Sequence, residues 1–530
     1  MERWSPSPGV RKDETYVMKL VEKRRRLFKF LRLHRHELFD DAFQEELEGM
    51  YRTTGAGTEP KPPAFMCMVV LLQGYHGVSD ADAVALSVAD ARWQLVLDCL
   101  GAKEPSFSQG GLQRFRERLI AADMDRRLVE RTIEVAKRTK EFDWKKLPKD
   151  LRVAIDSRPL EGAGRVEDTI NLLGHAMRKI VELCANVLDI SKEAVCERAG
   201  SPLLLSRSIK AGLDLEWNDA EQKAEAVEIL CAQMTSLIGW LEMERVATEG
   251  PVQRYLEALK LIREQNIEVD KHGSVRMIQG VAEDRRVSVE DADVRHGRKS
   301  KSKRFNGYKE HIATDVDSAL ILACEITPAN RPEEEATARL AEDMERQRVR
   351  VGEILIDRGY INSPEIAAMA ESGAVIICKP WKLRNANSEL YSKAQFKLDM
   401  RAKTITCPAG QTESFESGDV VEFDPELCGA CPLRSRCTHA ASGKGRTVKI
   451  AEDERLQHKL RRLQASPAGR ERLRERTAVE HRLAHLGARR GPRARYRGSR
   501  KNLFDLRRAA AIQNLETVQR KREPARRKAA

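Results

Sequence analysis

Short β-rich runs that end in aspartate, with a long strand-free stretch between the first of them and the rest, constrain this chain most. In LRVAIDSRPL, Val153 and Ile155 belong to such a run, and Asp156 ends it ahead of Pro159 and a glycine-containing stretch. Residues 167–269 then show helical periodicity with almost no strand signal. Strands return at 307–315 (GYKEHIATD), at 319–327 (ALILACEIT), in GEILID, which ends at Asp357, and at 374–378 (AVIIC). A helical run, PEEEATARLAEDMERQ, separates the second and third of these. The alternation predicts an α/β domain, 150–166 plus 270–395, interrupted by a helical insertion over 167–269. An acid at the C-terminal end of a strand is a common position for a metal ligand or catalytic group.

The flanks read as helical. From 15 to 142, Pro62 and Pro63 open the apolar run AFMCMVVLLQGYHG, and Ser79 is placed to cap the following helix. Further on, Leu112, Phe115 and Leu119 share one face, with Arg114, Arg116 and Arg118 beside it. A small helical bundle and a helix-turn-helix-like DNA-binding module fit this pattern equally. At the other end, 453–520 reads as one helix to about 487 and a second from Asn502, and the basic tail 521–530 reads as disordered.

Formal net charge is +13, and its placement points to a polyanionic partner. KSKSKR holds Lys299, Lys301, Lys303 and Arg304, and 489–501 carries seven basic residues in thirteen. Such clusters are the footprint of a nucleic-acid binder. No apolar run is long enough to span a bilayer, and MERWSPSPGVRKDE lacks a secretory core, so a cytoplasmic, membrane-free protein is expected.

Of eleven cysteines, seven stand singly in apolar stretches. The other four, Cys407, Cys428, Cys431 and Cys437, lie as C-x20-C-x2-C-x5-C within 400–450. Four thiolates so spaced close a tetrahedral structural Zn²⁺ site, with His439 able to replace one ligand.

Two acids at strand ends and a third on a helix are what metal-assisted phosphoryl transfer needs. Among 81 acidic residues any three are easily found, so the pattern only nominates candidates. Glu480, in RERTAVEHRLAHLGARRG, has Arg476 one turn before it. That spacing suits an ordinary exposed ion pair, and equally a phosphate-contacting arginine beside a metal ligand.

The blocks together resemble the DDE transposases of bacterial insertion sequences, in the branch with a helical InsH-like N-terminal domain. The stretch 62–119 with FRERL, AIDSRPLEGAGRVEDT, GYKEHIATD, ITPANRPEE, ILIDRGYINSPEI, and ERTAVEHR with ARYRGSRKNLFDLRRAAAIQNL follow one another in family order. The resemblance implies an RNase H-like catalytic domain with a helical insertion, a helical N-terminal domain and a small zinc-binding insertion. It further implies that Asp156, Asp357 and Glu480 hold two Mg²⁺ ions, or Mn²⁺. Water and then a DNA 3′-hydroxyl would attack phosphodiesters at terminal inverted repeats and target DNA. A homodimer on DNA, in the bacterial cytoplasm at the nucleoid, is implied as well. The expected DNA-facing residues are Lys299, Lys301, Lys303, Arg304, Lys309, His311, Arg476, Arg489, Arg490, Arg497 and Lys501. Two positions depart from the family: Leu473 replaces a frequent tyrosine, and Gly487 a basic residue, with Arg489 and Arg490 close by. After the Ala329–Asn330 turn, Pro332 and Glu333 stand where a further acid is often found. A decayed transposase acting only as a DNA-binding protein, a zinc-ribbon regulator and a host nuclease remain as other readings.

Overall fold

Capping chemistry sets most helix starts. Pro63–His76 begins with proline, whose missing N–H costs nothing in a first turn, and ends at Gly77 with φ of 69°. Ser79 caps Asp80–Ala89 by accepting the Asp82 N–H at 3.1 Å while Asp82 reaches back. The computed structural model describes residues 2–24, 26–51, 59–138, 150–271, 273–300, 302–385 and 388–522. Lys301 and residues 523–530 of the expected tail lie outside them. The chain divides into two compact units, one of residues 1–148, 156–349 and 481–530, the other of 149–155 and 350–480.

In the first unit the helix Ser499–Arg522 is the hub. Of residues 502–518 only Glu516 is not fully buried. A helix buried all round must be central, and this one packs on Pro63–His76, Met124–Arg138 and the strand Ile321–Pro328. Asn514 ties it to the sheet: its Oδ1 accepts the Ile321 N–H at 2.8 Å, and its Nδ2 donates to Ile321 O at 2.9 Å. The N-terminal helices therefore share a core with the C-terminal helix.

Strand Arg304–Asp315 pairs antiparallel with Arg295–Arg298 and with Ile321–Pro328. The strand Leu151–Glu161 runs straight through Asp156, which the sequence reading had made its end. Pro159 does not stop it, because partners remote in sequence continue the pairing: Gly162 N donates to Asn306 O at 2.8 Å and Glu161 N to Pro492 O at 2.9 Å. The approach needs glycine at 307, where a Cβ would stand 2.1 Å from Leu160 O. Between these strands Thr169–Leu188, Ala220–Met243 and Gly250–Asn266 are helices that close a core around Leu172, Met177, Leu230, Leu237 and Ile262.

In the second unit, the first half of the same strand pairs parallel with Val351–Leu355, which pairs parallel with Val375–Ile377. A small module follows, built from Lys397–Asp399, Thr404–Thr406 and Thr412–Ser414 in one antiparallel sheet and Val420–Glu422 with Thr447–Lys449 in another. Its core includes Phe396, so the module starts before residue 400. The single helix expected over 453–487 is three: Glu454–Ala465, Pro467–Glu475 and Thr477–Arg490. Proline at 467 cannot continue the first, and Ser466 caps the second by accepting the Gly469 N–H at 3.0 Å.

Candidate active site

Asp357 follows the strand Val351–Leu355 and caps the turn Arg358–Tyr360, its Oδ1 accepting the Arg358 N–H at 2.8 Å. The carboxylate is exposed. Arg358 is tied back by Nε donating to Pro380 O at 2.7 Å. Just past Val375–Ile377, the buried Cys378 thiol donates to Lys379 O at 3.3 Å. Burial pushes this thiol up to about 12; Asp357 adds to the rise, while Arg358 and Arg476 oppose it.

Glu480 stands in the first turn of Thr477–Arg490, where the helix dipole favours an acid. Val479 is buried and Glu480 exposed, with Oε1 accepting from Arg476 Nη2 at 2.6 Å. Asp357 and Glu480 each offer solvent-facing oxygen donors for a hard cation, and Arg476 beside Glu480 offers a guanidinium for a phosphate. Among the described residues no group of three or more His, Cys, Asp or Glu stands ready to hold a metal ion.

Asp156, in the first unit, is half-buried and accepts the Ser157 N–H at 2.8 Å. The Ser157 hydroxyl bonds the Glu333 carboxylate, so the acid after the Ala329–Asn330 turn sits beside Asp156's neighbour. Two residues on, Arg158 donates from Nε to Glu310 and from Nη2 to Gly491 O at 2.9 Å. Glu310 is wholly buried and also pairs with Arg490. Arg490 binds Asp505 at 2.7 Å, and the adjoining cations, Arg490 first, hold that buried carboxyl well below the usual range against the cost of burial. Arg158 and Glu310 carried no local sequence signal; a charged residue inside a strand was the only hint.

The DNA-facing set is corrected in part. His311 is fully buried, its Nε2 is 2.9 Å from Thr327 Oγ1, and burial lowers its pKa to about 3, so it is neutral and enclosed. Arg490 is likewise committed inside, to Glu310 and Asp505. Arg489 pairs with Glu516 at 2.8 Å and lies over the Tyr75 ring, Arg497 pairs with Glu290, and Lys309 Nζ donates to Arg331 O at 2.6 Å. Arg493, Arg495 and Arg500 reach Gly162 O, Gly77 O and Asp125. The arginines of 489–501 are therefore engaged by the protein itself, although Arg493, Arg495 and Arg497 remain exposed. Lys299, Lys303 and Arg304 are exposed at the tip of the hairpin joining Arg295–Arg298 to Arg304–Asp315, where Lys299 N donates to Lys303 O at 2.9 Å. Lys501 is exposed too.

Cys407, Cys428, Cys431 and Cys437 line a single cavity of about 410 Å³ in the small module. Burial raises the Cys437 pKa, Arg446 opposes, and the other three sulfurs add to the rise. All four are half-buried.

Residues 265–515 match the family described as Transposase DDE domain, and residues 18–118 match a family described as Transposase domain. No curated protein and no solved structure matched the chain. Asp357 and Glu480 fall inside the first segment, whereas Asp156 lies outside both, ahead of the helical insertion. A DDE domain implies an RNase H-like α/β fold, and the mixed parallel and antiparallel strands agree with it. No helix among the described residues is long and apolar enough to cross a membrane.

Proposed function

Because this chain belongs to the DDE transposases, we propose that it cuts DNA at the ends of its own mobile element and joins those ends to target DNA. Asp156, Asp357 and Glu480 are the carboxylates in this reading. The observation that carries it is the setting of two exposed carboxylates: Asp357 just past a parallel strand with its Oδ1 held by the Arg358 N–H, and Glu480 in a first helical turn bound by Arg476. All three are carboxylates, the oxygen donors that a hard divalent ion takes, and two face solvent, although they are not grouped around a ready site. Bound there, Mg²⁺ or Mn²⁺ supplies a Lewis acid that lowers the pKa of an attacking hydroxyl and neutralises the leaving oxygen.

The residues themselves prepare the site. The Arg358 N–H orients the Asp357 carboxylate, and the Arg358 tie to Pro380 O fixes the turn. Arg476 pairs with Glu480 in the free protein and can pass to a DNA phosphate. Lys299, Lys303, Arg304 and Lys501 supply exposed charge for the DNA backbone. The four thiols around one cavity, though not grouped as a ready metal site, are the donors that a structural Zn²⁺ closing the small module would take. Two transposon ends must be held together, so the working form is a homodimer on DNA.

The test is cleavage of labelled DNA carrying the element's ends, with Mg²⁺, by wild type and Asp357→Ala. Nicking that disappears in the variant while binding survives supports the reading. Binding without cleavage by either protein makes the chain a decayed DNA-binding descendant. Equal cleavage by both removes Asp357 from the metal site.

A further inference from the structure

We propose that Arg158 is a positioning residue whose guanidinium, seated in the notch left by Gly487, keys the strand that carries Asp156 to the helix that carries Glu480. The inference rests on the reading of the three carboxylates above.

Arg158 lies two residues beyond Asp156 in an extended strand, and a period of two puts both side chains on the same face. An ideal Cβ at Gly487 would stand 1.6 Å from Arg158 Nη1 and 2.9 Å from its Cζ. Gly487 is inside the helix Thr477–Arg490 and is absent from the positive-φ glycines, so its backbone does not call for glycine. Glycine inside a helix lowers helix propensity; what it provides here is room for the guanidinium. The far end of an arginine can ordinarily swing aside. This one is pinned by Glu310 and by Gly491 O, and leaving would strip one of two cations from a wholly buried carboxylate. The guanidinium thus takes the space that a side chain on the helix would otherwise need, and it reaches there from the strand.

Metal-bound carboxylates tolerate little misplacement, and an error of about 1 Å can cost on the order of 100-fold in rate. Mn²⁺ binding, followed by the electron paramagnetic resonance of the free ion, and DNA cleavage would be measured side by side. The proteins are wild type, Arg158→Ala, Gly487→Ala, the double variant, Arg158→Lys and Asp357→Ala, with a thermal unfolding midpoint for each. Gly487→Ala, which evicts the guanidinium, is expected to weaken Mn²⁺ binding about 10-fold and lower kcat about 100-fold, with KM for DNA unchanged. The double variant is expected to be no worse than Arg158→Ala, because the notch is no longer contested. Arg158→Lys should recover part of the loss. If Arg158→Ala does not fold, Gly487→Ala is compared in the wild-type and Arg158→Lys backgrounds, where the thinner lysine should make it milder.

Wild-type Mn²⁺ affinity and kcat in Gly487→Ala would overturn the proposal, as would single losses that simply multiply in the double variant. Loss in Asp357→Ala with none in Gly487→Ala overturns the positioning role alone. No loss in Asp357→Ala overturns the reading beneath it, and this role with it.

Discussion

Asp343 should make folding of the first unit depend on pH. It lies on the helix Thr337–Arg346 with its side chain 9% exposed, 3.4 Å from Arg507. Burial raises its pKa from 3.8 to about 6, against the opposing pull of Arg507 and Arg126. A folded-state pKa above the unfolded one means the fold prefers the protonated acid. The stability this group contributes is therefore full below about pH 4 and lost as pH rises through about 6. At 1.36 kcal/mol per unit, the two-unit displacement is worth about 3 kcal/mol. Asp343→Asn keeps the shape and removes the titration. Urea unfolding of wild type and variant, run from pH 4 to pH 7.5, gives the stability difference at each pH. Other buried acids with raised pKa, such as Asp315, titrate in both proteins and cancel. The wild type should lose about 2.4 kcal/mol relative to the variant across that range, because the unfolded carboxyl is already partly ionised at pH 4. A difference that does not change with pH would refute the argument. In Arg507→Ala, where the opposing cation is gone, the loss should extend above pH 6.

Alanine at Lys299, Lys303 and Arg304 together should flatten the slope of log K for DNA against log salt by about 3, at roughly 0.9 per phosphate released. His311→Ala should leave that slope where it is, since a buried neutral ring contacts no phosphate; an unchanged slope in the triple variant would take the hairpin off the DNA. Cys428→Ser, or a strong chelator, should open the module around 391–450 to protease while Ser499–Arg522 and its neighbours stay protected. Its core is only Phe396, Ile405, Phe415, Val421, Phe423, Val448 and Ile450, too small to hold without a staple. Elemental analysis should find one zinc per chain, and finding none would leave four half-buried thiols.

What could be read from the sequence was what neighbouring residues decide. Apolar periodicity located the helical insertion and the strands around it, and the cysteine spacing nominated four residues that do line one cavity. The break at Ser466 and Pro467 carries its own signal, a cap followed by a residue without an N–H. The strand through Asp156 was cut short for a different reason. Pro159 is a local stop signal, but the bonds that override it come from Asn306 and Pro492. Charge was least legible of all. KSKSKR and the arginines of 489–501 look alike as sequence, yet in the first Lys299, Lys303 and Arg304 stand exposed between paired strands. The second runs from one helix to the next beside Glu310, Asp505, Asp125 and the carbonyls of Gly77 and Gly162, which engage its arginines even where they stay exposed. A guanidinium has five donors and pairs as readily with a carbonyl or carboxylate as with a phosphate. Gly487 belongs to the same lesson. Read along the chain, it is a missing basic side chain; in space, the arginine that fills its notch arrives from residue 158, and no spacing rule along one helix could have named it.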